Sequence, residues 1–134
     1  ESTNAIIVHA RLTPDNPTDM DRWFRKKGYL QCGFHYCVTR SGITETRDHQ
    51  TIGAHLAEQD RTSVAIGILG WDGKHPDTLD PLAYSNFLSV TEMLAKEYPH
   101  ATINAAPEFL ETRGGYEPLI ELAAEAQRHV RSGG

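Results

Sequence analysis

An α/β fold, a single domain with a mixed central β-sheet flanked by helices, is what this sequence predicts, and three observations carry it. Two short unbroken apolar runs, Ala5-Ile6-Ile7-Val8 and Val64 to Leu69, read as strands buried on both faces. Two longer stretches, from Asp80 and from Glu117, repeat apolar residues at helical spacing. Between the apolar runs lie two β-rich segments separated by Ser41-Gly42, a hairpin signal. The order β, α, β-hairpin, β, α, β, α requires a sheet with helices packed against it.

His9 closes the first strand. Pro14, Asp15, Asn16 and Pro17 make a loop, and Thr18 followed by Asp21 resembles a capping box opening a helix that stops at Gly28. From that helix Met20, Trp23 and Phe24 face the core. Gly33 to Arg40 and Ile43 to Arg47 are the hairpin strands. Gly70 closes the strand from Val64, and Trp71-Asp72-Gly73-Lys74-His75 is the loop beyond it, where an exposed Trp71 would make a contact residue. Asp80 is an N-cap with Pro81 at the first helical position, and Tyr84, Phe87, Leu88, Thr91, Leu94 and Tyr98 follow on one face. Ala101-Thr102-Ile103 is a last short strand, followed by an irregular segment with two glycines and a proline. The final helix spans Glu117 to Val130, with Leu119, Leu122, Ala123, Ala126 and Val130 on one side. The domain covers residues 1–131, and Ser132-Gly133-Gly134 is a tail expected to fray.

A chain of 134 residues with 39% apolar content suits one core. Its formal charge of −5 offers no basic footprint for nucleic acid, which favours a protein or small-molecule partner. No apolar run approaches the roughly 18 residues of a membrane span, and Glu1-Ser2-Thr3-Asn4 is no leader, although the absence of an initial Met leaves a removed segment open. Cys32 and Cys37 sit in a segment read as strand, where about 3.3 Å per residue sets them about 16 Å apart, too far to pair. Two unpaired thiols fit a reducing compartment, so a cytoplasmic location is expected.

Four stretches carry a family resemblance. Glu1 through His9 forms an opening strand; Arg22-Trp23, Gly28-Tyr29 and Gly33-Phe34-His35-Tyr36 form a helix and the chain after it. Ile52-Gly53-Ala54-His55 supplies a Gly-x-His turn, and Ser63-Val64-Ala65-Ile66 through Gly70 a central strand. In this order and spacing they resemble the N-acetylmuramoyl-L-alanine amidases of the T-odd phage lysozyme and peptidoglycan-recognition type. The resemblance covers nearly the whole chain and implies that fold.

It also implies a zinc hydrolase, whose metal is held by two His and one Cys with the fourth position open to water. Here the implied ligands are His9, which is present, and positions that fall on Ala106 and Gly114, which carry none. The Lys that assists the reaction falls on Thr112, and the Tyr of the Gly-Tyr-His motif on Phe34. No His, Cys or Lys occurs between Ala101 and Gln127, so no shift of register restores the set. His100 precedes the short strand, and six extended residues, about 20 Å, keep it from the metal position. His129 reads as a surface residue near a helix C-terminus. His35 points to the face opposite Phe34, and Tyr36 is displaced by two residues. His55 remains the best substitute ligand, paired with His9 and completed by Asp, Glu or substrate.

Without its partners His9 reads as an inherited, hydrogen-bonded strand-end residue, Phe34 as filler and Arg47 as structural. Glu108, Glu111 and Glu117 read as a solvated rim. The degenerate site implies no bound cofactor and no zinc, leaving a scaffold for binding. The cleft and binding candidates are His9, Phe34, His55, Trp71 and Arg113. Phage lysozymes of this family also bind and inhibit a single-subunit RNA polymerase, so a cytoplasmic regulator that binds a protein such as a phage-type RNA polymerase is the first expectation. A non-hydrolytic muropeptide-binding protein is the second, and an amidase with a rebuilt zinc site the third.

Overall fold

The computed structural model describes residues 3–47, 62–112 and 114–133. In chain order they form β1 (Ala5–Arg11), α1 (Pro17–Lys26), β2 (Tyr36–Thr39), β3 (Gly42–Glu45), β4 (Ser63–Leu69), α2 (Pro81–Glu97), β5 (Thr102–Ala105), α3 (Pro107–Glu111) and α4 (Glu117–Arg131). The five strands make one sheet in the order β3-β2-β4-β1-β5. β2, β4, β1 and β5 run parallel, and β3 is an antiparallel edge on β2. The mixed sheet read from the apolar runs is therefore present. All seven residues of β4, the middle strand, are buried, which is why its sequence shows no alternation.

Helices cover both faces. Val64, Ile66 and Ile68 pack with Phe87, Val90 and Leu94 of α2 and with Leu119 and Leu122 of α4. On the other face Ala65 and Leu69 pack with Met20 and Phe24 of α1 and with Cys32, Phe34 and Cys37. Strand alternation makes this division unavoidable, since successive β4 side chains point to opposite faces. In the parallel register Ile7, His9 and Arg11 of β1 lie opposite Ala65, Gly67 and Leu69, so His9 and Arg11 face α1.

Several local expectations are corrected. The N-cap of α1 is Asn16, whose side chain accepts from Asp19 N at 2.9 Å, with Pro17 as the first helical residue. Proline has no N–H to leave unsatisfied there, so the helix starts earlier than the Thr18 reading allows. Asp21, freed from capping, accepts from Arg25 Nε at 2.6 Å and from the Cys32 backbone N–H at 2.7 Å. The hairpin pairs Thr39 with Gly42, which places Arg40-Ser41 at its tip, one residue earlier than read. The segment assigned to α3 was read as irregular, and Pro76–Thr78 forms a 3-10 turn. Asp80 caps α2 as expected, accepting from Leu82 N at 2.8 Å.

The strand placement of Cys32 is corrected. β2 begins only at Tyr36, so Cys32 precedes the strand and the chain between the two cysteines is not extended. Both thiols are free and buried, in line with the reading of them as unpaired. Trp71 is corrected as well. It is 2% exposed, packed in the larger core, and its indole N–H donates to the His75 carbonyl at 2.8 Å. Burial with the one polar atom satisfied makes it a structural residue rather than a contact residue.

Candidate functional site

His9 ends the apolar part of β1 and faces α1, yet it is 1% exposed. Its neighbour across the sheet is Gly67, and that glycine makes the site's packing feasible. A Cβ at Gly67 would lie 2.5 Å from Phe34 Cδ2, so only a glycine lets the Phe34 ring settle onto β4. From there Phe34 meets the His9 ring at 4.9 Å between centroids and the Phe24 ring edge-on at 5.3 Å. Phe109 of α3 closes the opposite side of His9, edge-on at 6.2 Å.

Glu108, also on α3, brings Oε1 to 3.3 Å from His9 Nδ1. The two groups lie within ion-pair distance, with the Glu108 side chain half exposed to solvent. Interaction with His9, outweighing the opposing effect of burial, holds the Glu108 carboxyl below its usual 4.5, and the Arg11 charge adds to the effect. Glu108 is thus a solvent-exposed rim residue, as read, that also reaches His9. Pro107 at the first position of α3 starts the turn that delivers it.

Beside His9 opens a pocket of about 440 Å³ lined by His9, Arg11, Trp23, Phe24, Lys27, Tyr29 and Phe34. Two cations converge on Trp23, with Arg11 Cζ 5.2 Å and Lys27 Nζ 5.3 Å from the ring centroid. Arg11 Nε is buried and makes no hydrogen bond among the described residues. Arg11, Lys27 and Tyr29 escaped the sequence reading, and Trp23 was read only as core. A signal was available: Arg11 lies two positions beyond His9 on the same strand face, and Trp23 and Lys27 are i, i+4 on α1.

The other sequence candidates fall as follows. Ala106 is wholly buried, donates its N–H to the Val8 carbonyl at 2.9 Å and precedes α3. Gly114 has Thr112 Cγ2 3.2 Å and a Tyr116 ring carbon 3.4 Å from where a Cβ would sit. Thr112 turns its hydroxyl to the Glu108 carbonyl, ending α3. His35 is buried, and its Nδ1 accepts from Ala65 N at 3.0 Å, a structural role. Arg47 Nε donates to the Cys32 carbonyl at 2.9 Å, again structural. His129 sits 2.6 Å from Glu92 at the surface. His55 and Arg113 lie outside the described residues.

For the zinc that the resemblance implies, the described donors do not fit. His9 and Glu108 are two candidate ligands side by side, and among the described residues no group of three His, Cys, Asp or Glu side chains comes together. A catalytic zinc takes three protein ligands. Phe34 and Phe109 flank His9, with side chains that ligate nothing. Among the described residues, no helix is long and apolar enough to cross a membrane.

No protein-family model matches the chain. It is 27% identical over 116 residues to the endolysin of Escherichia phage T7, covering 81% of this chain and 77% of that protein. The endolysin of Enterobacteria phage K11 is 27% identical over 113 residues, 78% of this chain and 75% of its own. Two solved structures from Clostridium intestinale share the fold. The N-acetylmuramoyl-L-alanine amidase LysC matches with a TM-score of 0.73 at 21% identity, over 92% of this chain and 84% of its own. The endolysin amidase LysCS gives 0.76 at 19%, over 92% and 82%. By sequence the chain is similar to the endolysins of phages T7 and K11, and it shares its fold with two N-acetylmuramoyl-L-alanine amidases.

Proposed function

We propose that this chain binds muropeptides, peptide-bearing fragments of peptidoglycan, in the pocket beside His9 and does not hydrolyse them. The observation that carries the reading is the pair of cations, Arg11 and Lys27, both close to the Trp23 ring in a pocket next to His9. A muropeptide offers carboxylates for the cations and sugar or peptide faces for Trp23 and Tyr29. Arg11 Nε makes no hydrogen bond among the described residues, so the guanidinium is not committed there to a protein acceptor.

A protein partner such as a phage-type RNA polymerase is implied only by the family resemblance. Arg11 and Lys27 in the pocket and Glu108 against His9 are charged groups of the kind a polar glycopeptide needs, which favours the muropeptide over a protein partner. The reading without hydrolysis is supported by the lack, among the described residues, of a third ligand beside His9 and Glu108, and by Thr112 and Phe34 standing where the resemblance expects the Lys and Tyr that stabilise transition-state charge.

Calorimetric titration with a muramyl peptide tests the binding. Micromolar affinity is expected, reduced roughly ten- to a hundredfold in the Arg11→Ala/Lys27→Ala variant, as befits the loss of charge-assisted hydrogen bonds. Equal affinity in both proteins, or none in either, overturns it. Incubation with purified cell walls is expected to release no soluble fragments. Chelator-sensitive release would instead restore the amidase with a rebuilt metal site.

A further inference from the structure

We propose that a second cavity, on the sheet face opposite His9, is a binding site for a small organic cation, an ammonium group carried on an apolar body. The cavity measures about 460 Å³, and Trp71, Pro76, Leu79, Pro118 and Leu122 line it. Trp71 and Leu122 belong to the core on the α2 and α4 side of the sheet, whereas Phe24 and Phe34 of the His9 pocket belong to the core under α1. The sheet therefore stands between the two cavities. A volume of this size suits a small molecule, and apolar walls with a few placed polar groups are what such a ligand requires. The site is independent of the muropeptide reading.

Hydrogen bonds hold the walls in place. The Trp71 indole N–H donates to the His75 carbonyl, and the Asp72 carboxylate accepts from the Lys74 and His75 N–H groups at 2.8 and 3.2 Å. The Gly73 carbonyl accepts from the Leu119 N–H at 3.1 Å, which ties this loop to α4. The 3-10 turn Pro76–Thr78 then brings Pro76 and Leu79 to the cavity, while α4 supplies Pro118 and Leu122. These bonds preform the site.

Charge selects the ligand. Every charged side chain lining the cavity is a carboxylate: Glu117, Glu121 and Glu125 recur at four-residue spacing on α4 and stand in one row. No Lys, Arg or His lines it among the described residues. The Tyr84 hydroxyl donates to Glu125 from α2. Glu121 pairs with Arg128 at 2.7 Å, but both ends are exposed, and such a pair is readily exchanged for another cation. Lys74 of the adjoining loop lies over the Tyr116 ring, 4.9 Å from its centroid. An anion would be repelled here and a neutral molecule would gain the apolar contact alone. An apolar body bearing an ammonium group gains both.

The test titrates the native chain with phenylpropylamine and, separately, with phenylpropanol and phenylpropionate, which share its apolar body. The two tryptophans report the two cavities, because Trp71 lines this one and Trp23 the His9 pocket. In two-dimensional NMR spectra the amine is expected to shift the Trp71 indole signal and leave that of Trp23 in place. Its affinity is expected to exceed the alcohol's roughly tenfold, the gain of a charge-assisted hydrogen bond, with the acid weaker still. Added salt should narrow the gap between amine and alcohol. In Glu117→Gln/Glu121→Gln the amine is expected to fall toward the alcohol's affinity, and in Leu79→Ala both weaken. Equal affinity of amine and alcohol for the native chain overturns the proposal, as does an undiminished preference in the double variant, a shift confined to Trp23, or no shift at millimolar amine. Should a variant fail to fold, the three probes on the native chain decide alone.

Discussion

At the scale of single residues, the site depends on one glycine and one carboxylate. A methyl group at Gly67 would sit 2.5 Å from Phe34 Cδ2 and 2.8 Å from Cε2, inside contact distance of a ring that is itself held by Phe24 and His9. Gly67→Ala is expected to destabilise the chain by about 1–3 kcal/mol, the usual cost of overpacking. The same change made in Phe34→Ala should cost far less, because the clashing ring is gone. Urea denaturation of the four proteins checks this; equal costs in both backgrounds would show that Phe34 is not the obstacle. Glu108 provides the second prediction. Its carboxyl is held below 4.5 in the folded chain, so the contribution of its charge is present above that value and is lost as pH falls through the lower folded one. Glu108→Gln is therefore expected to lower stability at pH 7, and the difference is expected to shrink as the pH falls below 4.5. A stability difference that persists undiminished at pH 3 would remove the His9 contact as its cause. Of these residues, His9 and Phe34 were legible in the sequence, through the family motifs that contain them. Glu108 was not, because its role depends on a turn of helix after Pro107 that five residues of mixed character do not announce.

At the scale of elements, legibility followed burial. β1 and β4 were plain because strands covered on both faces are apolar without interruption. α2 and α4 were plain because each buries one stripe, α2 against β2 and β3 and α4 against β5. Cys32 and the chain from Gly33 to His35 were misread as strand because Cys32, Phe34 and Tyr36 are apolar at alternate positions. That alternation places them in a core without requiring a ladder until β2 begins at Tyr36. α1 is the element on which the pocket depends, since it presents Trp23, Phe24 and Lys27 from one helix. Its start rests on Asn16, whose side chain meets one of the N–H groups left unsatisfied at a helix end. Asn16→Ala is expected to cost about 1 kcal/mol and Thr18→Ala little, the reverse of what the capping-box reading implies. Thermal denaturation of the two variants distinguishes the readings, and a larger loss in Thr18→Ala would return the cap to Thr18.

At the scale of the whole molecule, the positions to which the family resemblance assigns the second and third metal ligands are occupied by other contacts. Ala106 is enclosed in the larger core and linked to β1 through the Val8 carbonyl, so the strand and helix that meet there are packed together at the position the resemblance assigns to a ligand. At Gly114 even a Cβ would touch Thr112 and Tyr116. Ligands placed at these two positions would therefore enter packed surroundings rather than an open cleft. The variant Ala106→His/Gly114→Cys is expected to lose about 1–3 kcal/mol through overpacking and to retain far less than one equivalent of zinc after dialysis. Zinc sites need their ligands held within about 0.5 Å of the working geometry by the residues behind them. Here Phe34 and Phe109 stand against His9, where the supporting shell of a metal ligand would have to be. Calorimetry with elemental analysis of the dialysed variant checks both halves. A variant as stable as the wild type that keeps one zinc and releases fragments from cell walls would mean that two substitutions suffice to undo the loss. The packing around Ala106 would then be an incidental consequence of losing the ligands, not a barrier to regaining them.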